Sequence, residues 1–157
     1  MANEISLRAV QTSDLEIFFE QQLDPRATSM ASFPARPRDE FMAHWAKIMR
    51  DEATILRSIV VNGRVAGNIV GWGPADEPKV GYWLGQEYWG RGIATEALSQ
   101  FLVQMKVRPL FARVAKTNVA SIRVLQKCGF TLHGEDTFTG DHGEVGEEFI
   151  LALGAAT

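Results

Sequence analysis

The chain holds one cysteine, Cys128, so no disulfide can close within it. Its three histidines and Cys128 form no cluster at metal-ligand spacing, and no metal is expected. A basic excess is also missing: 16 Lys and Arg stand against 19 Asp and Glu, a net charge of −3, which argues against a nucleic-acid partner. No uncharged apolar run approaches the ~18 residues of a membrane span, so no membrane partner is expected. The opening MANEISLRAV lacks the charged start and apolar stretch of a signal peptide, and a cytoplasmic protein is the expectation. Repeats and low-complexity linkers are absent too, which leaves one domain spanning residues 1–157. What is present suffices for a core: 46 % of the residues are hydrophobic. At this length roughly two thirds of the unfolded surface becomes buried, without help from metal or disulfide. Monomer and homodimer are both compatible with this composition.

The hydrophobic period switches several times. Ile5 to Val10 alternates as a strand, and Leu15, Phe18, Phe19 and Leu23 then recur at helical spacing behind a capping-box pair, Ser13 and Glu16. Asp24-Pro25 ends that helix. Pro37 at a first helical position, followed by Asp39 and Glu40, opens a second helix with Phe41, Trp45, Ile48 and Met49 on its apolar face. Ile55–Val61 and Val65–Trp72 read as strands joined by Asn62-Gly63, a two-residue hairpin signal. A third strand covers Val80–Leu84, a helix Gly90–Met105, a strand Leu110–Ala115 and a short helix Asn118–Cys128. Gly129 is suited to a left-handed cap, with Phe130 packing back on Leu125. A strand from Thr131, a polar loop over Thr139–Gly146 and a strand Glu148–Leu153 complete an order β-α-α-β-β-β-α-β-α-β-β. Runs of strands with late helices predict an α+β sheet of mixed direction. Trp72, Trp83 and Phe101 read as core, and Cys128 as a packed small hydrophobe rather than a nucleophile. Phe33, Trp45 and Tyr88 read as half-buried packing, with a pocket-lining role as the alternative.

The informative stretch is GYWLGQEYWGRGIATEAL, Gly81–Leu98: a strand runs into a turn with two glycines and the turn opens a helix. Orphan N–H groups and the positive dipole end meet there, and glycines at Gly90 and Gly92 let a ligand come close to them. Such a turn suits a pyrophosphate. Arg91 adds a cation and Thr95 a hydroxyl. A Walker loop, GxxxxGK with Ser or Thr behind it, is absent, and Thr95 stands where a dinucleotide fingerprint needs its third glycine.

The block YWLGQEYWGRGIATEAL resembles the acetyl-CoA motif of the GNAT superfamily of N-acetyltransferases, in particular the branch related to the ribosomal-protein acetyltransferases RimJ and RimL. Gly90 and Gly92 match the superfamily pattern, and Glu87 departs from its first position, usually Gln or Arg. Asn118-Val119-Ala120-Ser121 with Lys127-Cys128-Gly129-Phe130 is similar to the later Asn-containing motif, and ISLRAVQTSDLEIFFEQQLDP to the opening strand and helix. The resemblance implies a mainly antiparallel twisted sheet flanked by about four helices. It implies direct attack of a primary amine, on a small molecule or a peptide N-terminus, on the acetyl-CoA thioester. The cofactor would lie along Trp83, Leu84 and Gly85 and over Trp89, Gly90, Arg91, Gly92, Ile93, Ala94 and Thr95, with Asn118 and Ser121 near its pantetheine. The Leu84 N–H would stabilise the oxyanion. Many relatives place a tyrosine acid seven residues after the motif Asn. Leu125 stands there, so the resemblance points to Ser121, as in RimL-like members.

A base is less sharply drawn. Asp76, Glu77, Glu135, Asp136, His133 and His142 are candidates, Glu135 the best single one, and a water chain is the alternative. Counting from Gly129-Phe130 puts Gly140 where RimL-like members have a glutamate. The last hairpin carries Glu135, Asp136, Asp141, Glu144, Glu147 and Glu148, an acidic field expected to favour a cationic amine or a basic peptide N-terminus. Two rival readings remain: a non-catalytic acetyl-CoA-binding module, and a nucleotide-binding protein using the same turn.

Overall fold

In a computed structural model the described residues are 3–25, 35–139, 143 and 145–154. Strand β1 (Ile5–Ala9) precedes two helices, α1 (Asp14–Gln22) and α2 (Arg38–Arg50). A meander of β2 (Ile55–Val61), β3 (Arg64–Trp72) and β4 (Lys79–Leu84) follows, then a single 3₁₀ turn, Gln86–Tyr88. Next come α3 (Ile93–Gln104), β5 (Leu110–Ala115), α4 (Val119–Lys127), β6 (Thr131–Thr139) and β7 (Val145–Leu153). One seven-stranded sheet runs β1-β2-β3-β4-β5-β7-β6, antiparallel everywhere except between β4 and β5. The α+β expectation therefore holds, as does the predicted order of elements among the described residues.

Two apolar clusters lie on opposite faces of this sheet. On one face Ile93, Leu98 and Phe101 of α3 and Leu125 of α4 pack on Ile59, Ile69, Val80 and Leu110. On the other, Leu15 and Phe18 of α1 meet Phe41 and Trp45 of α2, over Leu56 and Val70. Ile69 and Val70, adjacent in β3, thus serve different cores, as strand alternation requires. Asn62 and Gly63 both take positive φ, 51° and 83°, in the tight turn between β2 and β3. After α4, Gly129 has φ 97°, its N–H bonds Gln126 O at 3.0 Å, and Phe130 N–H bonds Leu125 O at 3.0 Å. This is the Schellman closure read from the sequence.

Several local expectations are corrected. Ser13 caps nothing: its own backbone is helical (φ −64°, ψ −21°), whereas a capping side chain needs an extended backbone, and the Leu15 N–H bonds Thr12 O at 3.2 Å instead. Pro37 is the cap residue of α2, because ψ of 154° holds it outside the helix that begins at Arg38. Helix α3 begins at Ile93, since Gly90 and Gly92 have φ of 71° and 75° and the chain cannot be helical there. β7 starts at Val145, earlier than Glu148, because pairing continues to Thr139↔Val145 and shortens the expected loop. Trp72 is 41 % exposed: as the last residue of β3 it lies against Gly81 and enters neither core. Phe101 and Trp45 are buried as core. Phe33, Gly140, Asp141, His142 and Glu144 lie outside the described residues.

Candidate active site

Strands β4 and β5 share a single pair, Lys79↔Phe111, and then diverge. The start of α4 occupies the opening, bringing Asn118 and Ser121 between them. Two cavities flank the gap. The larger, about 410 Å³, is lined by β4, the glycine turn, the first turn of α3 and α4. The smaller, about 190 Å³, is lined by β4, β5, Leu98 of α3, α4 with its cap residue, Phe138 of β6 and Glu148 of β7. Four residues, Tyr82, Trp83, Asn118 and Ser121, line both.

The walls of the larger cavity suit an extended anionic ligand. At Gly90 and Gly92 nothing lies within 4 Å of where a Cβ would stand, so both glycines leave open space besides supplying the left-handed backbone. The first backbone bond of α3 runs from Glu96 N–H to Gly92 O, so the N–H groups of Ile93, Ala94 and Thr95 lack helical acceptors, and all three residues line the cavity. Arg123 and Lys127, four apart on α4, add two cations to the same wall. On β4, Leu84 stands opposite Gly67 while the Gly85 N–H bonds Ala66 O at 2.8 Å. In that alternation the Leu84 N–H and carbonyl point away from β3, toward the gap. The carbonyl accepts the Trp89 indole N–H at 2.9 Å, while the N–H faces the opening.

Ten of the expected ligand-binding residues meet at this cavity: Trp83, Leu84, Trp89, Gly90, Gly92, Ile93, Ala94, Thr95, Asn118 and Ser121. Gly85 and Arg91 do not line it. Gly85 is tucked under Gln21, and the Arg91 guanidinium lies over the Tyr88 ring at 5.9 Å and bonds Glu87 O. Trp83 is half-buried at the gap rather than in the core, and its indole Nε1 is buried with no partner among the described residues. Leu125, 4 % exposed, packs in the core.

Asn118 caps α4, its Oδ1 accepting the Ser121 N–H at 3.2 Å. That leaves the Ser121 hydroxyl for another partner, and it has one: the Tyr82 hydroxyl donates to Ser121 Oγ across 3.0 Å. Burial pushes the Tyr82 phenol above its ordinary pKa, a rise that the neighbouring Ser121 hydroxyl only partly offsets. Tyr82 escaped the sequence reading because strand alternation marks it merely as inward-facing, and its pairing with α4 is a tertiary fact.

The hairpin acids are distributed unevenly. Glu135 is exposed, lines neither cavity and is held by Lys116 at 2.8 Å. Asp136 and Glu148 both pair with Arg113, Glu148 Oε1 at 2.6 Å from its Nε. Of these carboxylates only Glu148, 9 % exposed, lines the smaller cavity. Arg113 and Lys116 therefore compensate much of the acidic field expected from the described part of this hairpin. Asp76 and Glu77, in the turn before β4, and His133, edge-on to Phe111 at 5.3 Å, line neither cavity. Cys128, at the end of α4, has its sulfur 3.6 Å from Thr95 O. Among the described residues no three His, Cys, Asp or Glu side chains are grouped to hold a metal ion, and no helix is long and apolar enough to cross a membrane.

Comparison with known proteins bears on this geometry. No curated protein matches the sequence. Among solved structures, an acetyltransferase of the GNAT family from Bacillus anthracis superposes with a TM-score of 0.79 at 20 % identity, over 98 % of this chain and 96 % of that one. The spermidine N-acetyltransferase from Vibrio cholerae, in complex with CoA and spermine, gives 0.74 at 18 % identity, over 94 % and 95 %. Mycobacterium smegmatis RimJ, in complex with CoA-disulfide, gives 0.75 at 19 % identity, over 96 % and 82 %. These likenesses speak for the fold. The sequence model of the acetyltransferase (GNAT) domain matches residues 4–131, most of the chain, and the protein therefore belongs to the GNAT acetyltransferases.

Proposed function

We propose that the protein is an acetyl-CoA-dependent N-acetyltransferase of the RimJ/RimL-like branch that acetylates a primary amine, on a small molecule or a peptide N-terminus, by direct attack on the thioester. The observation that carries this reading is the meeting of two cavities at Ser121, one with an anion cradle and one with a carboxylate. In this reading Gly90, Gly92 and the N–H groups of Ile93, Ala94 and Thr95 hold the pyrophosphate, and Arg123 and Lys127 offset its charge. The Leu84 N–H, aimed into the gap, donates to the thioester oxygen as negative charge develops there. Bound acetyl-CoA supplies an activated acyl group. The protein orients it, keeps water out with Trp83, Trp89 and Tyr88, and protonates the departing sulfur from Ser121.

On the acceptor side, the amine enters the smaller cavity, and Glu148 takes its proton directly or through a water molecule. Glu148 is preferred to Glu135 for that role because it alone of the two borders the cavity. The Trp83 N–H, unpartnered among the described residues, offers a hydrogen bond to an oxygen of the acceptor. The branch assignment is supported by Ser121 with Leu125 in place of a tyrosine, and the amine acceptor by the spermine-bound relative.

Ligand-dependent stability tests the reading. Acetyl-CoA at 100 times its Kd adds about 2.7 kcal/mol to stability. For a domain of this length the melting temperature then rises on the order of 5–10 °C, while NAD and ATP at the same concentration leave it unchanged. Gly92→Asn is the matching control. Asparagine tolerates positive φ better than other residues, so the free protein keeps its fold, while the added side chain fills the open cradle and abolishes the shift. Valine there confounds the two effects, because a branched side chain at φ of 75° is strained with or without ligand. No shift with millimolar acetyl-CoA contradicts the assignment.

A further inference from the structure

Leu125 leaves this active site without a tyrosine at the position where many GNAT members carry one, yet a phenol borders the same cavity from another element. Tyr82 lies on β4, on the face it shares with Val80 and Leu84, and crosses the gap to α4. Its hydroxyl donates to Ser121 Oγ at 3.0 Å, and both side chains border both cavities. Capping does not require the Ser121 hydroxyl, since Asn118 already holds the Ser121 N–H. A serine hydroxyl that accepts from a buried phenol has its own hydrogen free to point elsewhere, here into the cavity. Burial keeps that phenol protonated across the physiological range, so it arrives at each turnover as a donor.

We propose that Tyr82 is a proton-relay residue: its hydroxyl passes a proton to Ser121 as Ser121 passes its own to the departing sulfur. The inference rests on the acetyl-transfer reading. The amine nitrogen forms its bond to the carbonyl carbon, and the C–S bond breaks with its electron pair remaining on sulfur. Sulfur takes the Ser121 proton and becomes the thiol, and the Ser121 oxygen takes the Tyr82 proton. The resulting phenolate is reprotonated from water, which also receives, through Glu148, the proton lost by the amine. Serine alone is a very weak acid, and a phenol behind it supplies a far more acidic source of the same proton.

Two readouts test the relay. With tyrosines ¹³C-labelled at Cζ, the two tyrosines of the chain give two signals, and Tyr82→Phe identifies the one from residue 82 by its loss. In the ligand-free protein, Ser121→Ala removes the hydroxyl that turns to donate to the phenolate once Tyr82 is deprotonated, so the Tyr82 titration midpoint moves upward. In turnover, Tyr82→Phe lowers kcat on the order of 100-fold, the lower end of general acid–base effects, with the KM for acetyl-CoA within about threefold. Combined with Ser121→Ala it is no slower than Ser121→Ala alone, because both remove one proton path. An unchanged midpoint overturns the pairing. A kcat for Tyr82→Phe within about threefold of wild type, or multiplicative losses in the double variant, overturns the relay while leaving the acetyltransferase reading intact. Wild-type protein that releases no thiol with any amine overturns both, and a shifted midpoint then marks a structural hydrogen bond only.

Discussion

Ser121→Ala is expected to lower kcat by about 100- to 10,000-fold, the usual range for a general acid, while acetyl-CoA affinity falls by less than about threefold. The split follows from position. Ser121 sits where the two cavities meet, whereas the groups suited to the phosphates lie along the turn at Gly90 and Gly92 and on α4 at Arg123 and Lys127. Helix α4 survives the change, because its cap is the Asn118 side chain bonded to a backbone N–H that alanine retains. Initial rates with varied acetyl-CoA separate the two parameters. A kcat loss below threefold at saturation returns Ser121 to a packing role. Leu125→Tyr does not restore the rate in that background. Leu125 is 4 % exposed and packs in the core at the wall of the smaller cavity, so a larger polar side chain there costs about 1–3 kcal/mol in overpacking.

Asp14→Ala is expected to lose about 3 kcal/mol of folding stability, the low end for removing one partner of a buried ion pair, since Arg8 is itself partly exposed. Asp14 is 2 % exposed and accepts from Arg8 at 2.7 and 3.0 Å, from the Gln11 N–H at 2.9 Å and from the Ser58 hydroxyl at 2.7 Å. It ties the start of α1 to β1 and β2, and α1 in turn braces Ala66 and Gly85 through Gln21. Burial alone would raise the Asp14 pKa, but Arg8, Gln11 and Ser58 together outweigh it and hold it below the usual value. Its contribution is therefore complete above the unfolded carboxylate pKa near about 3.9 and fades as the pH falls through the lower folded value. Urea unfolding should show the full gap between wild type and variant at pH 7 and a smaller one below pH ~4. Asp14→Asn, which keeps an acceptor for Gln11 and Ser58, should fall between them. Equal gaps at both pH values would mean that the charge contributes nothing.

The elements that periodicity and turn chemistry mark were legible: the meander around Asn62-Gly63, the strand–glycine turn–helix from Val80 and the closure at Gly129. Each rests on residues close in the chain. The residues that line the larger cavity were legible for the same reason, as one segment supplies most of them. What pattern reading missed depends on distant pairing. Tyr82 and Ser121 are 39 residues apart, and their meeting requires β4 and β5 to diverge with α4 between them. Glu148 and Glu135 look alike as hairpin acids, but they stand on different strands, and only β7 lies beside β5 and turns its acid toward the cavity. Arg123 and Lys127 carried a usable signal, since with Ala120 and Val124 they fall on one helical face behind the Asn118 cap, and all four line the same wall. Ser13 misled because a capping-box spacing was present while the Thr12 carbonyl had already taken the Leu15 N–H.

Thiol release from acetyl-CoA tests the central claim most directly, followed against a panel of primary amines that includes polyamines, amino acids and peptide N-termini. The account predicts amine-dependent release of one thiol per acetylated amine, with the acetyl group found on nitrogen by mass spectrometry. Acetyl-CoA that raises the melting temperature yet yields no thiol above the amine-free rate with any acceptor would contradict it. That result would leave a protein that binds acetyl-CoA without transferring the acetyl group.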